Sequence, residues 1–305
     1  MTSTDLNVEQ AVAGRYSAAS KKTEPALCCP VDYDAQWLKA IPAELIRRDY
    51  GCGDPAKYVQ TGDHVLDLGS GGGKICYIAS QVVGPEGQVT GVDINDDMLG
   101  LARQFQGEVV ENIGWDNVSF RKGRIQDLKL DLDQLEEYLQ TSPANDANSW
   151  IAAEQQAETL RHTSPMIANE SVDVVVSNCV LNLVRNEDRI QLFNEIFRVL
   201  KPGGRAVISD IVSDGPVPQH LQDDATLWSG CISGAFEEHA FSAAFTAAGF
   251  VCVEILVRQN DPWQTVEGIE FRSMTIRAWK HHKTETTDTI NLSDEGCCEP
   301  DGNCC

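Results

Sequence analysis

The sequence predicts an α/β fold, a doubly wound sheet that is completed by an antiparallel hairpin. A strand, a glycine-rich turn, a helix and a second strand follow one another in residues 65–93, which is the pattern of a parallel sheet. Strand-like and helix-like segments continue to alternate after this unit, as in sheets that helices cover on both faces. Two apolar segments at 251–258 and 271–279 come last and predict the hairpin.

The individual elements follow from local patterns. Residues 65–68 are apolar and bounded by glycines, which predicts a short buried strand. A helix is expected at 75–83, where an apolar stretch ends at Gly84-Pro85, and a strand at 88–92 ends in Asp93. The other predicted elements are helices at 8–19, 35–48, 96–106 and 187–200, a helix that ends at Gly249, and strands at 117–121, 171–178 and 205–209, the last followed by Asp210.

Composition limits the kind of partner. The 305 residues are 42% hydrophobic and carry a formal net charge of −22, and such a charge repels nucleic acid and anionic membranes. No apolar run approaches the roughly 20 residues of a membrane span, and the N-terminal residues lack the basic and apolar regions of a signal peptide. We therefore expect a cytoplasmic protein with a small-molecule substrate, no nucleic acid partner and no membrane partner.

Eleven cysteines are more than a cytosolic enzyme needs for packing. In a reducing compartment, such a set indicates metal, metalloid or redox chemistry more often than static disulfides. Cys52 lies between Gly51 and Gly53, which predicts a flexible, accessible backbone and a reactive thiol. A half-buried packing role for Cys52 is the alternative. Cys76 falls inside the helix at 75–83 and is expected in the core.

The glycine turn narrows the choice of ligand. Its sequence pattern is Asp67-x-Gly69-x-Gly71-x-Gly73. A ligand can approach such a backbone closely because glycine has no Cβ. A carboxylate ahead of the turn suits a cationic amino-acid tail better than a pyrophosphate, and Asp93 suits ribose hydroxyls. A flavin or nicotinamide fold is the alternative. The sequence pattern resembles motif I of the class I S-adenosylmethionine (SAM) methyltransferases, which implies a Rossmann-like sheet with SAM as cofactor.

This resemblance also implies where SAM is bound. The cofactor-binding residues that it implies are Tyr16, Asp67, Gly69, Ser70, Gly71, Asp93, Ile94, Met98, Ile125, Gln126, Asn178 and Val180. The role of Tyr16 depends on the helix at 8–19, which either folds over the cofactor or is an ordinary surface helix.

Two cysteines occupy positions where a substrate is expected. Cys179 follows the central strand at 171–178, and ligands bind at the carboxyl ends of such strands. Cys231 lies in a glycine-bracketed segment, in a part of the chain where methyltransferases commonly form the substrate pocket. The methyl group of SAM is electrophilic, so its acceptor must offer a lone pair, and no motif for a general base is apparent. Trivalent arsenic held by thiolates keeps such a lone pair, and Cys52 or glutathione would supply a third sulfur.

The chain resembles the arsenite SAM methyltransferases over residues 9–280. The segments that carry this resemblance are YGCG at 50–53, LDLGSG at 66–71, VTGVD at 89–93, VVVSNCVLNL at 174–183 and WSGCISGA at 228–235. The resemblance implies that Cys179 and Cys231 bind arsenic. It also implies that Cys52 forms a redox pair with Cys28 or Cys29, which thioredoxin or glutathione then reduces.

Departures from this family keep alternatives open. Asp49 stands where many relatives have a tyrosine, and the polar insert at 130–169 is absent from many of them. A SAM-dependent enzyme for a small organic or organoarsenical acceptor is one alternative, and a non-catalytic metalloid-binding protein is another. Zinc binding is only weakly indicated, because no C-x-x-C pair with partners at zinc-finger spacing is present.

These patterns divide the chain into four parts. We predict a segment of helices and cysteines at 1–60 and a SAM-binding domain at 61–215, whose insert at 130–169 decorates the domain or covers the site. A substrate-binding region and the closing hairpin are predicted at 216–282. A disordered cysteine-rich tail is predicted at 283–305, with Cys297, Cys298, Cys304 and Cys305.

Overall fold

A computed structural model describes residues 7–27, 31–48 and 50–281 of the protein. Within these ranges nine strands form one sheet. The strands are β1 His64–Leu68, β2 Gln88–Asp93, β3 Val118–Lys122, β4 Val172–Asn178, β5 Leu200–Ser213, β6 Phe236–Glu237, β7 Val251–Arg258, β8 Gln264–Val266 and β9 Ile269–Trp279.

Helices precede the sheet, cover its faces and form the insert. They are α1 Val8–Ala19, α2 Ala35–Leu38, α3 Ala43–Arg48, α4 Lys74–Val83, α5 Asp96–Ile113, α6 Leu132–Thr141, α7 Ala147–Thr163, α8 Arg189–Val199, α9 Gln219–Gln222, α10 Ala225–Ser229 and α11 Glu238–Ala247. Among the described residues, no helix combines the length and the apolar character that crossing a membrane requires.

The strand order confirms the predicted doubly wound sheet with its closing hairpin. The strands follow the order β3-β2-β1-β4-β5-β9-β7, and β6 and β8 pair at the sides of β5 and β9. Strands β1 to β5 are parallel, whereas β9 is antiparallel to both β5 and β7. The chain leaves β1 in one direction and returns at β4 in the other, which opens a crevice at the carboxyl ends of these two strands.

The core lies on both faces of the sheet because side chains alternate along each strand. On β1, Val65 packs into the cluster of helices α4 and α5, which includes Tyr77 and Leu99. Leu66 belongs to the opposite cluster, with α8 and α11. Cys76 is fully buried in the first cluster, as predicted.

Three predicted elements differ from the observed ones by more than two residues. The helix expected at 96–106 is α5, which continues to Ile113. The helix expected at 35–48 is split into α2 and α3 around Pro42, because the residue before a proline disfavours helical backbone. The strand expected at 205–209 is part of the longer β5, so Asp210 lies inside a strand and not at its end. Pairing with β9 extends β5, since residues from Arg205 to Ser213 all have partners there.

Candidate active site

A cavity of about 420 Å³ opens at the crevice between β1 and β4. Its size suits a ligand of SAM's dimensions. Ten of the predicted cofactor-binding residues line it, namely Tyr16, Gly69, Gly71, Asp93, Ile94, Met98, Ile125, Gln126, Asn178 and Val180. No residue of α6 or α7 is among the lining residues, so the insert packs beside the site and does not cover this cavity.

The glycine turn after β1 forms the floor of the cavity. The backbone N–H groups of Gly69 and Ser70 donate to the carbonyl of Val92, at 2.8 and 3.0 Å. Gly69 has a φ of +69°, and a Cβ there would lie 2.3 Å from Cγ1 of Val180. Only glycine therefore allows the turn to pass between the ends of β2 and β4.

Asp93 is oriented by backbone donors on both of its oxygens. Gly71 N–H donates to Oδ2 and Asn95 N–H donates to Oδ1, each at 2.8 Å. The carboxylate is thereby held at the end of β2, where it lines the cavity. A carboxylate in this position suits the two hydroxyls of a ribose.

Two predicted cofactor residues are not among the residues that line the cavity. Asp67 is buried at 2% exposure and accepts a hydrogen bond from the Cys76 thiol at 3.2 Å. Ser70 is also buried, and its hydroxyl has no hydrogen-bond partner among the described residues. Cofactor binding by these two residues stays a prediction.

Helix α1 lies over the cavity and connects its two sides. On the cofactor side, the Asn95 amide donates to the Ala13 carbonyl and to Ser17 Oγ, both at 3.1 Å. On the other side, Arg15 donates to the Thr226 carbonyl at 2.9 Å and to the Ser229 hydroxyl at 3.2 Å. The helix therefore has the covering position that was one of its two predicted roles.

Three cysteines from distant segments come together beside the cavity. Cys179 and Cys231 both line it, and the Cys231 thiol donates to the Cys179 carbonyl at 3.3 Å. Cys52 lies behind them: its sulfur, the Cys179 sulfur and a carboxylate oxygen of Asp210 are all within 4.8 Å of one another. Cys179 and Cys231 both have a positive φ, 67° and 64°, which is uncommon for residues other than glycine.

The prediction that Cys52 is flexible and accessible is wrong. Cys52 is 2% exposed, and its backbone is held by side chains from other segments. Asn178 Oδ1 accepts from the N–H groups of Cys52 and Gly53, while Ser273 Oγ donates to the Cys52 carbonyl at 2.6 Å. A Cβ on Gly51 would lie 2.3 Å from Asn178 Nδ2, so the glycine beside Cys52 allows close packing here and does not provide mobility.

The side-chain amide of Asn178 makes its hydrogen bonds with the segment that contains Cys52 and with Tyr33. Its Nδ2 donates to the Gly53 carbonyl at 2.8 Å and to the Tyr33 hydroxyl at 3.1 Å. Asn178 lines the cavity, but its polar atoms hold the Cys52 segment against β4. Sequence reasoning assigned Asn178 to the cofactor and missed this role, since no local signal connects it with Cys52.

The surroundings of the thiols favour their neutral form. A hydrogen bond with Cys179, together with burial and the Cys179 and Asp210 charges, raises the pKa of Cys231 well above its ordinary value. For Cys179 the largest influence, a hydrogen bond with Cys231, lowers the pKa. Hydrogen bonding with Cys52, burial and the charges of Cys52 and Asp210 outweigh it, so the pKa of Cys179 is also raised.

Two further titratable groups face the thiols. Burial, followed by the charges of Cys231 and Cys179, raises the pKa of Tyr16, whose hydroxyl is hydrogen-bonded with the Cys231 thiol. Burial raises the pKa of Asp210 to about 7, although the N–H groups of Ile211 and Asn182 favour its charged form. Asp210 was not among the predicted site residues. The polar pair Ser209-Asp210 within an apolar strand was the signal that could have identified it.

Cys28 and Cys29, the predicted redox partners of Cys52, lie outside the described residues, as do the four cysteines of the tail.

Comparison with known proteins agrees with this architecture. Residues 60–249 match the family described as a methyltransferase domain. The chain belongs to that family. This methyltransferase is 35% identical over 246 residues to the arsenite methyltransferase of Halobacterium salinarum, covering 80% of this chain and 52% of that protein. The human arsenite methyltransferase is 32% identical over 267 residues, which are 85% of this chain and 62% of that protein.

A solved structure gives the same result. The methyltransferase superposes on the arsenic(III) S-adenosylmethionine methyltransferase of Chlamydomonas reinhardtii with a TM-score of 0.64 and 27% identity, covering 83% of this chain and 75% of that one. These relatives confirm the resemblance predicted from the cysteine motifs. The chain spans about half to three-fifths of the length of the two curated relatives.

Proposed function

We propose that this methyltransferase transfers the methyl group of SAM to trivalent arsenic that Cys52, Cys179 and Cys231 hold. The observation that carries the proposal is the meeting of three cysteines from separate segments at the cofactor crevice. A soft centre such as arsenic prefers sulfur ligands. The similarity to arsenite methyltransferases supports the same substrate class.

The neutral thiols suit the loading of arsenite. Arsenous acid carries three hydroxyl groups, and each one can leave as water with the proton of one thiol while an As–S bond forms. Three neutral thiols therefore give a neutral arsenic tris-thiolate and three waters. Because no net charge is buried, the low-polarity surroundings of Cys52 and Cys231 do not oppose the reaction.

Positioning is the main contribution of the protein to the methyl transfer. Bound SAM supplies a sulfonium methyl group that accepts an electron pair. The arsenic lone pair forms the As–C bond, and the electrons of the broken S–C bond stay on the sulfur of S-adenosylhomocysteine. Cys179 and Cys231 line the cavity and so hold arsenic toward it, whereas Cys52 holds arsenic from behind. Helix α1 and Tyr16 cover the site and exclude water.

We further propose that a thiol–disulfide cycle follows the transfer. Methylated arsenic is formally pentavalent, and it returns to the trivalent state when a second thiolate attacks an arsenic-bound sulfur and arsenic takes the electron pair of the As–S bond. Cys28 or Cys29 would attack the Cys52 sulfur. The burial of Cys52 supports such a relay, because thioredoxin or glutathione cannot reach it directly.

Release of S-adenosylhomocysteine on addition of arsenite and glutathione tests the proposal. We expect release from the wild type, loss of release in Cys179→Ser and in Cys231→Ser, and normal release in Cys76→Ser, which changes a free thiol of the core that does not line the cavity. If the wild type binds SAM but releases no product, the proposal is wrong. An organic or organoarsenical acceptor is then the remaining candidate, and the same assay with such acceptors identifies it.

A further inference from the structure

Asp210 lies among the thiols, although arsenic bound by three sulfurs has no need of a carboxylate. One ligand atom from each of Cys52, Cys179 and Asp210 falls within 4.8 Å of the other two. Cys52 and Asp210 are buried, and Cys179 is partly buried. The set of two sulfurs and one oxygen is therefore assembled by the fold and is shielded from bulk water.

This donor set is one that zinc uses. Zn²⁺ binds cysteine sulfur at about 2.3 Å and carboxylate oxygen at about 2.0–2.2 Å, in a tetrahedron. Such a tetrahedron places two sulfurs about 3.8 Å apart and a sulfur about 3.5 Å from the oxygen. Because the three atoms lie within 4.8 Å of one another, a contraction of at most about 1.3 Å brings them to three of the four ligand positions of a zinc site. Solvent or the Cys231 thiol, which is hydrogen-bonded with Cys179, is available for the fourth position.

The carboxylate of Asp210 is already oriented as ligating carboxylates usually are. Its Oδ1 accepts hydrogen bonds from Asn182 Nδ2 and from Ile211 N–H, both at 2.8 Å. Its Oδ2 accepts a longer bond of 3.3 Å from Asn182 N–H, and a backbone hydrogen bond with Leu181 also favours the charged carboxylate. Hydrogen bonds of this kind hold a metal ligand in place without using all of its lone pairs.

Charge also distinguishes a divalent cation from arsenic. Two thiolates and a carboxylate would place three negative charges in a buried site, and such charges are stable there only with a close cation. Arsenic with three thiolates is neutral and gains nothing from Asp210. A thiophilic dication gains a ligand and offsets the charge.

We propose that Cys52, Cys179 and Asp210 form a site for Zn²⁺, which occupies the thiols and excludes arsenic from them. The ligands come from the loop before β1, the end of β4 and the interior of β5. This explains why no zinc-finger spacing is present in the sequence. The proposal that Zn²⁺ binds here is argued from the positions of the three ligand atoms. The proposal that Zn²⁺ competes with arsenic rests in addition on the proposed function.

Alkylation of individual cysteines tests the site in the full-length protein. Iodoacetamide labelling of Cys179, followed by peptide mapping, would be measured against buffered free Zn²⁺ and, separately, against arsenite. Mapping separates Cys179 from the other cysteines of the chain. The variants are Asp210→Asn, which keeps the shape of the side chain but removes its charge, and Cys76→Ser as a control in the core. SAM binding and the melting temperature establish that each variant is folded.

We expect Zn²⁺ to protect Cys179 in the wild type and in Cys76→Ser. In Asp210→Asn the half-protecting Zn²⁺ concentration should rise at least about tenfold, with protection by arsenite close to that of the wild type. If Asp210→Asn does not fold, Cys52→Ser replaces it, and the half-protecting Zn²⁺ concentration should rise likewise.

Three results would overturn the zinc site. The first is that Zn²⁺ does not protect Cys179 in the wild type. The second is that Zn²⁺ protects Cys179 in folded Asp210→Asn, or in Cys52→Ser if that variant replaces it, as well as in the wild type. The third is that Asp210→Asn loses protection by Zn²⁺ and by arsenite to the same extent. The last would mean that Asp210 only supports the thiol loops. Protection by Zn²⁺ without any protection by arsenite would contradict the proposed function and leave the zinc site standing.

Discussion

The side-chain oxygen of Asn178 accepts hydrogen bonds from the backbone N–H groups of Cys52 and Gly53, at 2.9 and 3.0 Å. The residue that ends β4 thus determines where the Cys52 sulfur lies, and the next residue, Cys179, supplies the neighbouring sulfur. The distance between two of the three thiols is therefore controlled from one point of the sheet.

Replacing Asn178 with alanine should release the Cys52 loop. The buried N–H of Cys52 and the partly buried N–H of Gly53 would lose their acceptor, and each such loss costs about 1–3 kcal/mol. The two losses together cost about 4 kcal/mol at the middle of this range. We expect about half of this, about 2 kcal/mol, to lower the free energy of local opening of the Cys52 loop, which makes alkylation of Cys52 about 30-fold faster. Peptide-resolved alkylation rates measure this directly.

Asn117→Ala is the matched control for this experiment. Asn117 donates to the Gly84 and Gly87 carbonyls, near the opposite end of the sheet from the thiols. Its loss should lower stability without changing the reactivity of Cys52. Equal alkylation rates in the two variants would show that Asn178 has no specific hold on the loop.

Asp210 should make stability depend on pH. Burial raises its pKa from 3.8 to about 7, so between these pH values the folded protein keeps a proton that the unfolded chain has lost. The retained proton therefore stabilises the folded protein. Its contribution to the free energy of unfolding is complete below pH 3.8 and is lost as pH rises to about 7, above which the free energy of unfolding no longer changes because of this group. The total loss is at most about 4.5 kcal/mol, at about 1.4 kcal/mol per unit over the 3.2 units between 3.8 and about 7.

Urea unfolding of the wild type and of Asp210→Asn across this pH range would test the effect. Other carboxyl groups titrate in both proteins, so the difference between the two unfolding free energies isolates Asp210. We expect the wild type to lose stability relative to the variant as pH rises. Parallel curves would contradict a raised pKa at this position.

Removing the connection between α1 and α10 should open the cavity. Arg15→Ala loses the hydrogen bonds to Thr226 and Ser229, and a cost of about 1 kcal/mol corresponds to about fivefold faster dissociation of SAM. Stopped-flow fluorescence of bound ligand measures this rate. Lys21→Ala is the control, because its ion pair with Asp97 is 70% exposed on the lysine side and exposed pairs contribute little. Similar rates for both variants would argue against α1 as a cover.

The fold was largely predictable, because its signals are local. The apolar run at 65–68, the glycine turn and Asp93 lie within one stretch of chain, and Cys179 directly follows a strand of continuous β-branched residues. Ten of the twelve cofactor residues that the resemblance implied line one cavity, and their contact with SAM stays a prediction. The bounds of α1 also match the prediction, 8–19.

The acceptor side was less predictable. Glycines on both sides of Cys52 indicated mobility, but Asn178 packs into the space beside Gly51, and Ser209 packs into the space beside Gly53. Asp210 was placed at the end of a short strand, and only pairing with β9 shows that β5 continues past it.

The sequence by itself determined the order of strands and helices, the glycine turn and the presence of thiols near ligand-binding positions, because apolar periodicity and turn chemistry act over a few residues. The tertiary structure alone decided that Cys52 is buried, that Asn178 holds it, and that Asp210 joins two of the thiols. These relationships join segments far apart in the chain. They depend on the register in which strands pair and loops pack, which local residue patterns do not specify.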